Sequence, residues 1–179
     1  MPKPAETTPA PVASPAPVPV EPPPEEYELA VLLCNHNSPE LAGFVRQWLR
    51  YPMLSHPDAR RIIAALAEEE DLLASLDGEP EPCQSLAAKI ANTPVHIAGG
   101  EDISTPERAV RDLVLRIWLG HLQRRQRDIR LALARTPAAE KAALLSEFNV
   151  LSKDVASLRR GWDSAEPVLL RLLDEMDAI

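Results

Sequence analysis

The chain has 179 residues and a formal net charge of −8, with 45% hydrophobic and 4% aromatic residues, 19 prolines, 6 glycines and 2 cysteines. This length fits one domain with a tail or a small subdomain, and two cysteines exclude a disulfide scaffold and favour a reduced, cytoplasmic setting. No apolar run of about 18 residues occurs, so no membrane span is predicted, and prolines interrupt the N-terminal segment where a secretory signal needs a continuous apolar core.

The N-terminal segment 1–24 holds ten of the 19 prolines, interleaved with Ala, Val, Thr and Glu. Each proline removes an amide donor and fixes φ, so the segment cannot propagate a helix. It also lacks the large apolar side chains that would offset the entropy of ordering. The composition therefore predicts a disordered, extended tether.

Segment 25–104 predicts a bundle of short helices. Its first helix opens with acidic residues, which the helix dipole favours there. Ser38 followed by Pro39 indicates a second start, with serine as N-cap and proline at the first helical position. The predicted helices cover about residues 25–36, 39–51, 55–76 and 83–91, and residues 92–104 form a surface loop.

Segment 105–161 predicts a helical hairpin. Thr105 and Pro106 repeat the cap-and-proline signature and open a helix that runs to about Arg135, with an apolar stripe that changes face midway. Thr136 and Pro137 then cap a return helix. Its apolar residues recur with a mean period of 3.5, which is typical of a helix packed lengthwise on another helix. This seam comprises Leu144, Phe148, Leu151, Val155 and Leu158.

The last segment, 162–179, predicts a short acidic helix opened by a capping box at Asp163 and Glu166. All predicted elements are helical, and glycine and β-branched runs are scarce. The sequence therefore predicts an all-α fold: a bundle, a long connecting helix and a terminal hairpin, preceded by a disordered Pro-rich tail.

Charge is unevenly distributed along the chain. Residues 25–103 carry 14 acids and five bases, a net −9, whereas residues 106–161 carry 12 bases and six acids, a net +6. The basic side chains include Arg124, Arg125, Arg127 and Arg130. They fit a solvated helix face, an acidic partner surface or nucleic acid. Without interleaved aromatic residues they do not form a stacking platform for single strands, so direct nucleic-acid binding is expected to be weak or absent.

Residue types that bind metals or perform catalysis do not form a recognisable motif. Cys34, His36, His56, Cys83 and His96 lack the paired spacing of a zinc site. The consecutive acids 68–71 point around a helix and do not converge. No phosphate-binding loop, GxSxG or HExxH motif occurs. We therefore predict no catalytic residue, no metal and no cofactor.

The opening EEYELAVLLCNHNSPELAGFVRQWL, residues 25–49, resembles the start of the C-terminal domain of bacterial DNA primase, where a segment of the type aLLLxxPELA opens a small bundle. The order bundle, loop, long helix, hairpin also matches, so the resemblance covers roughly residues 25–161. In that family the region follows a flexible linker, which corresponds to the Pro-rich segment. The zinc-binding and nucleotidyl-transfer regions of a whole primase are missing, and the helix after Gly161 extends past the usual end of the family.

The resemblance implies a non-catalytic module that docks primase onto the N-terminal domain of the replicative helicase, with a primase catalytic region as a further possible partner. A fragment, a split subunit and a free-standing relative all remain open. Alternatives to docking are a helical scaffold or dimerisation module with an unrelated partner, and a basic nucleic-acid-binding module. The partner-binding residues that it implies are Leu144, Leu145, Phe148, Leu151, Val155 and Leu158, flanked by Arg124, Arg125, Arg127 and Arg130.

Overall fold

The computed structural model describes residues 21–36, 38–68, 72–94 and 105–178. Every regular element in this part of the chain is a helix, so the predicted all-α class is confirmed. The predicted disordered tether, 1–24, lies almost entirely outside the described residues, as does most of the predicted loop 92–104. None of the described helices is long and apolar enough to cross a membrane.

The described residues form eight α-helices. They are α1 (Pro24–His36), α2 (Pro39–Trp48), α3 (Pro57–Ala67), α4 (Leu72–Ser75), α5 (Glu81–Ala91), α6 (Pro106–Arg135), α7 (Lys141–Arg159) and α8 (Trp162–Asp177). Two short 3₁₀ turns, Tyr51–Met53 and Ala138–Glu140, precede α3 and α7.

Local signals in the sequence explain several helix starts. Thr105 caps α6 as predicted, because its side chain accepts a hydrogen bond from the Arg108 amide. Ser38 occupies the N-cap position of α2 but makes no capping hydrogen bond; its hydroxyl donates to Glu40 instead. At α3 the cap is His56, whose ring nitrogen accepts from the Ala59 amide, a role that the sequence did not suggest.

Several boundaries differ from the prediction; α2, for example, ends at Trp48 and not at about residue 51. The third helix was expected to continue to Leu76 but ends at Ala67. The predicted capping box at Asp163 is wrong, because α8 begins one residue earlier, after Gly161, whose φ of +107° turns the chain. Thr136 ends α6 rather than opening α7, since a 3₁₀ turn lies between them.

Helix α1 lies at the centre of the bundle. Five consecutive residues, Leu29 to Leu33, are buried, so α1 is covered on every side rather than along one stripe. It packs against α3, α5 and α6. The carboxylate of Glu26, only 2% exposed, accepts hydrogen bonds from the Ser55 amide and hydroxyl and from the His56 amide, at 2.7, 2.7 and 3.1 Å. This buried acid fixes the start of α3 to α1.

Helix α6 connects the bundle to the hairpin. Its first half packs against α1 and α2, and its second half packs against α7. Trp118 is buried at the middle of α6, and its indole nitrogen donates to the Trp48 carbonyl at 2.8 Å. Apolar side chains of α1 to α3, α6, α7 and α8 belong to one continuous hydrophobic cluster. The proposed division at residue 105 stays a prediction.

Helix α8 packs against α7 and α6 and also reaches the bundle. At its first residue, the Trp162 ring meets the rings of Trp48 and Phe44 at centroid distances of 5.1 and 5.2 Å. At its last turn, Asp177 accepts two hydrogen bonds from Arg50, at 2.6 and 2.8 Å. Both ends of α8 are therefore fixed to residues at the end of α2.

Candidate protein-docking surface

The end of the hairpin is helical, but few of its side chains are buried. Of the described side chains between Arg127 and Val150, Ile129 alone is buried. We call residues 127–150 the hairpin tip. It consists of the last turns of α6, the connection and the first half of α7. Two helices cannot enclose both sides of their apolar rows, so this segment presents apolar side chains to solvent.

The predicted seam on α7 divides into two parts. Leu151, Val155 and Leu158 are buried within the protein's own core, and in this arrangement they are not available to a partner. Leu144 and Phe148 are half-buried and pack against that core, whereas Leu145 is 48% exposed. The accessible part of the predicted site is therefore the half of the seam that lies in the hairpin tip.

Helix α8 is the reason for this division. The period of the seam predicts a return helix packed lengthwise on one other helix, which in a hairpin is the preceding helix. In the structure α8 packs along the second half of α7, with Leu169, Leu172 and Leu173 buried. The seam therefore has helices on two sides beyond Leu151. The periodicity of α7 predicted that a face is buried, but it carried no information on which helix buries it.

The four predicted arginines do not form one patch. Arg124 donates to the Met53 carbonyl at 2.7 Å, which ties α6 to the 3₁₀ turn of the bundle. Arg125 makes two hydrogen bonds to one oxygen of Glu147, at 3.0 and 2.7 Å. Arg130 lies over the Phe148 ring, 5.1 Å from its centroid. Arg127 is exposed.

These contacts give the arginines different roles. Arg124 and Arg125 hold parts of the chain together, while Arg130 covers an aromatic ring through a cation–π contact that stabilises it modestly at an exposed position. Of these four arginines, Arg127 and Arg130 lie in the hairpin tip, and both residues are exposed. The arginines point to different neighbours: Arg130 contacts Phe148, whereas Arg124 contacts the carbonyl of Met53.

Two exposed apolar residues of the hairpin tip were not predicted as site residues. Leu131 on α6 is 59% exposed and Val150 on α7 is 46% exposed. Both lie outside the apolar stripes of their helices. A large apolar residue outside the stripe of an amphipathic helix cannot enter the core, so this position could have identified them in the sequence. They extend the apolar surface of the tip beyond the seam.

Burial shifts the pKa of several titratable side chains among the described residues. Burial raises the pKa of the Cys34 and Cys83 thiols, which disfavours the reactive thiolate. No group of three His, Cys, Asp or Glu side chains that could hold a metal ion occurs among the described residues, which do not include His96. Desolvation lowers the pKa of His121, with Arg124 and Arg125 contributing, so its ring favours the neutral form.

Comparison of the chain with protein-family models, with curated proteins and with solved structures gives no match. Its function is therefore inferred from the surface of the molecule itself and from the resemblance in sequence layout.

Proposed function

We propose that this protein is a non-catalytic, cytoplasmic docking module that brings primer synthesis to the replicative DNA helicase by binding the helicase N-terminal domain through the hairpin tip. The observation that carries the proposal is the exposure of the tip: Leu131 and Leu145 are 59% and 48% exposed on a helical pair that projects from a well-packed bundle. Apolar side chains that regular helices hold in solvent are typical of a surface that a partner covers.

The chemistry of the tip suits a protein partner. Phe148 is the one aromatic residue between Trp118 and Trp162 in the sequence, and Arg130 lies over its ring. Aromatic residues and arginine are enriched among the residues that dominate binding energy in protein interfaces. The resemblance of residues 25–161 to the primase C-terminal domain supports the helicase as the partner, because the hairpin supplies the main binding surface in that family.

Two substitutions test the docking surface. Leu145→Ala removes an exposed side chain, so we expect an unchanged fold and a helicase affinity at least tenfold lower, roughly 1.4 kcal/mol of binding free energy. Phe148→Ala should weaken binding further, by about 2 kcal/mol or more, if the ring is a central anchor. Binding to the purified N-terminal domain of the helicase is measured by calorimetry, and helical content by circular dichroism.

Leu170→Ala is the matched control, because Leu170 on α8 is 48% exposed, the same fraction as Leu145. It should leave both fold and helicase affinity unchanged. If Leu145→Ala also leaves affinity unchanged, or if wild-type protein does not bind the helicase domain, the docking proposal is wrong. Phe148→Ala that unfolds the hairpin would show instead that the ring only holds α6 and α7 together.

The same variants separate the alternatives. Self-association that Leu145→Ala abolishes would favour a dimerisation module. Nucleic-acid binding through the arginines would fall steeply with salt, with a slope of about −0.7 to −0.9 per phosphate contacted. We expect only weak binding of this kind, since Arg124 and Arg125 are engaged within the chain. Tight binding that Arg127→Glu abolishes would overturn the proposed function.

A further inference from the structure

A groove lies where α6, α7 and α8 meet, beside the hairpin tip. It has a volume of about 180 Å³. Its apolar floor is formed by Val150, Leu151 and Leu172, and its polar groups come from all three helices. The rim is open to solvent, because the side chains of Arg125 and Glu175 are about half exposed. The space is large enough for about six water molecules or for one long side chain.

Asp154 is a buried, half-satisfied carboxylate in this groove. The residue is 6% exposed. One of its oxygens accepts a hydrogen bond from Arg171 at 2.8 Å. The other oxygen, Oδ2, is buried and has no hydrogen-bond partner in the described part of the chain. A buried carboxylate oxygen without a donor is costly, so a further positive charge beside this carboxylate would offset part of that cost.

The arginines of the groove do not supply the missing donor. Arg125 is occupied by Glu147, to which it donates from two nitrogens. Arg171 divides its guanidinium between Asp154 and Glu175, with one nitrogen donating to each, at 2.8 and 2.7 Å. Two arginines and three acids line the groove, which leaves a net charge of −1. The unsatisfied atom is an acceptor, and the net charge is negative, so the complementary ligand is a cation that donates hydrogen bonds.

The apolar residues of the groove further restrict the class of cation that it can bind. Val150 is 46% exposed on the floor, and Leu151 and Leu172 lie beside it. A small inorganic cation gains nothing from such a surface. Lysine and arginine side chains combine an aliphatic stem that packs on apolar surface with a charged end that reaches a polar group. Val150 and Asp154 are four residues apart on α7, so the two surfaces are neighbours within reach of one such side chain.

We propose that the α6–α7–α8 groove is a binding site for a single lysine or arginine side chain of a partner protein, with the stem against Val150 and the cationic end beside the carboxylate of Asp154. The inference goes beyond the proposed function, since it does not depend on the identity of the partner. It names a side-chain specificity that the leucines of the hairpin tip do not provide.

The test uses the full chain and small probes. N-acetyl-arginine amide and N-acetyl-lysine amide are titrated into ¹⁵N-labelled protein, and backbone amide shifts are followed. We expect saturable shifts at Val150, Leu151 and Arg171 with a Kd on the order of millimolar, as suits a ligand of this size. N-acetyl-citrulline amide has the shape of the arginine probe without its charge, and it should bind at least tenfold more weakly.

Variants locate the binding. Asp154→Asn should weaken binding of both charged probes at least tenfold, whereas Glu28→Gln, which removes an acid from the exposed ion pair with Arg116, should have no effect. If Asp154→Asn does not fold, Val150→Lys decides, because its own ammonium group occupies the groove and should abolish probe binding. The proposal is wrong if the charged probes cause no saturable shifts in the wild-type protein, or if the citrulline probe binds as tightly as the arginine probe. It is also wrong if folded Asp154→Asn or Val150→Lys binds the charged probes as tightly as the wild type does.

Discussion

The bundle and the hairpin tip use the same aliphatic side chains in opposite ways. In α1 five consecutive residues are buried, and a buried acid, Glu26, has donors for both of its oxygens. In the tip the structure describes one buried side chain, Ile129, and leaves Leu131 and Leu145 in solvent. The difference indicates that the bundle buries its apolar side chains within the chain, whereas the tip leaves part of them exposed. The effect of substitutions in each region on the free energy of unfolding tests this difference.

The largest effect is expected at Trp118. This side chain is 1% exposed and its indole donates to the Trp48 carbonyl. Trp118→Ala leaves a large cavity and an unpaired carbonyl, and we expect a loss of about 3–5 kcal/mol in the free energy of unfolding. Urea denaturation measures it. Leu145→Ala in the hairpin tip should change stability by about 0.5 kcal/mol or less. Similar losses for the two variants would contradict the distinction between bundle and tip.

Helix α8 should contribute to the fold as strongly as a bundle helix. Leu169 is fully buried, and its neighbour Leu170 is exposed. Leu169→Ala should lower the free energy of unfolding by about 2–5 kcal/mol, whereas Leu170→Ala should change it by about 0.5 kcal/mol or less. The two variants remove the same atoms one position apart on one helix. If neither has an effect, α8 is an appended tail rather than the cover of α7.

Much of the fold follows from local sequence signals. Proline at helix starts and the Thr105 cap predicted α6 within its observed bounds, Pro106–Arg135. These signals act over one helical turn, so they can be seen in a single stretch of sequence. The premature end of α3 at Ala67 had no such signal, because the apolar period continues past it to Leu76.

The candidate site was less predictable because its exposure depends on contacts between distant segments. The seam of α7 predicted a buried face, but it did not indicate that Leu151 is fully buried whereas Leu144 is only half-buried. The role of Glu26 was missed for a similar reason. An acid in the first turn of a helix normally interacts with the helix dipole at the surface, and only the tertiary fold brings Ser55 to it.

The same contrast can be tested with two glutamates. Glu26 in the bundle is 2% exposed and accepts from three donors, whereas Glu147 in the tip is partly exposed and accepts from Arg125. Glu26→Gln replaces one carboxylate oxygen, which accepts, by an NH2 group, which faces other donors. It should lower the free energy of unfolding by about 1–3 kcal/mol. Glu147→Gln weakens a surface ion pair and should cost about 1 kcal/mol or less. Chemical denaturation of both variants measures the difference, and equal costs would contradict it.

The smallest effect is expected at His121, which lies on α6 where the bundle gives way to the hairpin. Its ring packs edge-on against Trp118, with centroids 6.0 Å apart. Desolvation, together with Arg124 and Arg125, lowers its pKa in the folded protein. The unfolded chain, with a histidine pKa of about 6.5, therefore binds this proton first as the pH falls. Stability should decline as the pH drops below about 6.5 and level off once the folded state is also protonated.

His121→Gln should remove this part of the decline, which unfolding curves between about pH 7.5 and 5.5 would measure. Parallel declines in wild type and His121→Gln would show that the join between bundle and hairpin accepts the charged ring without cost.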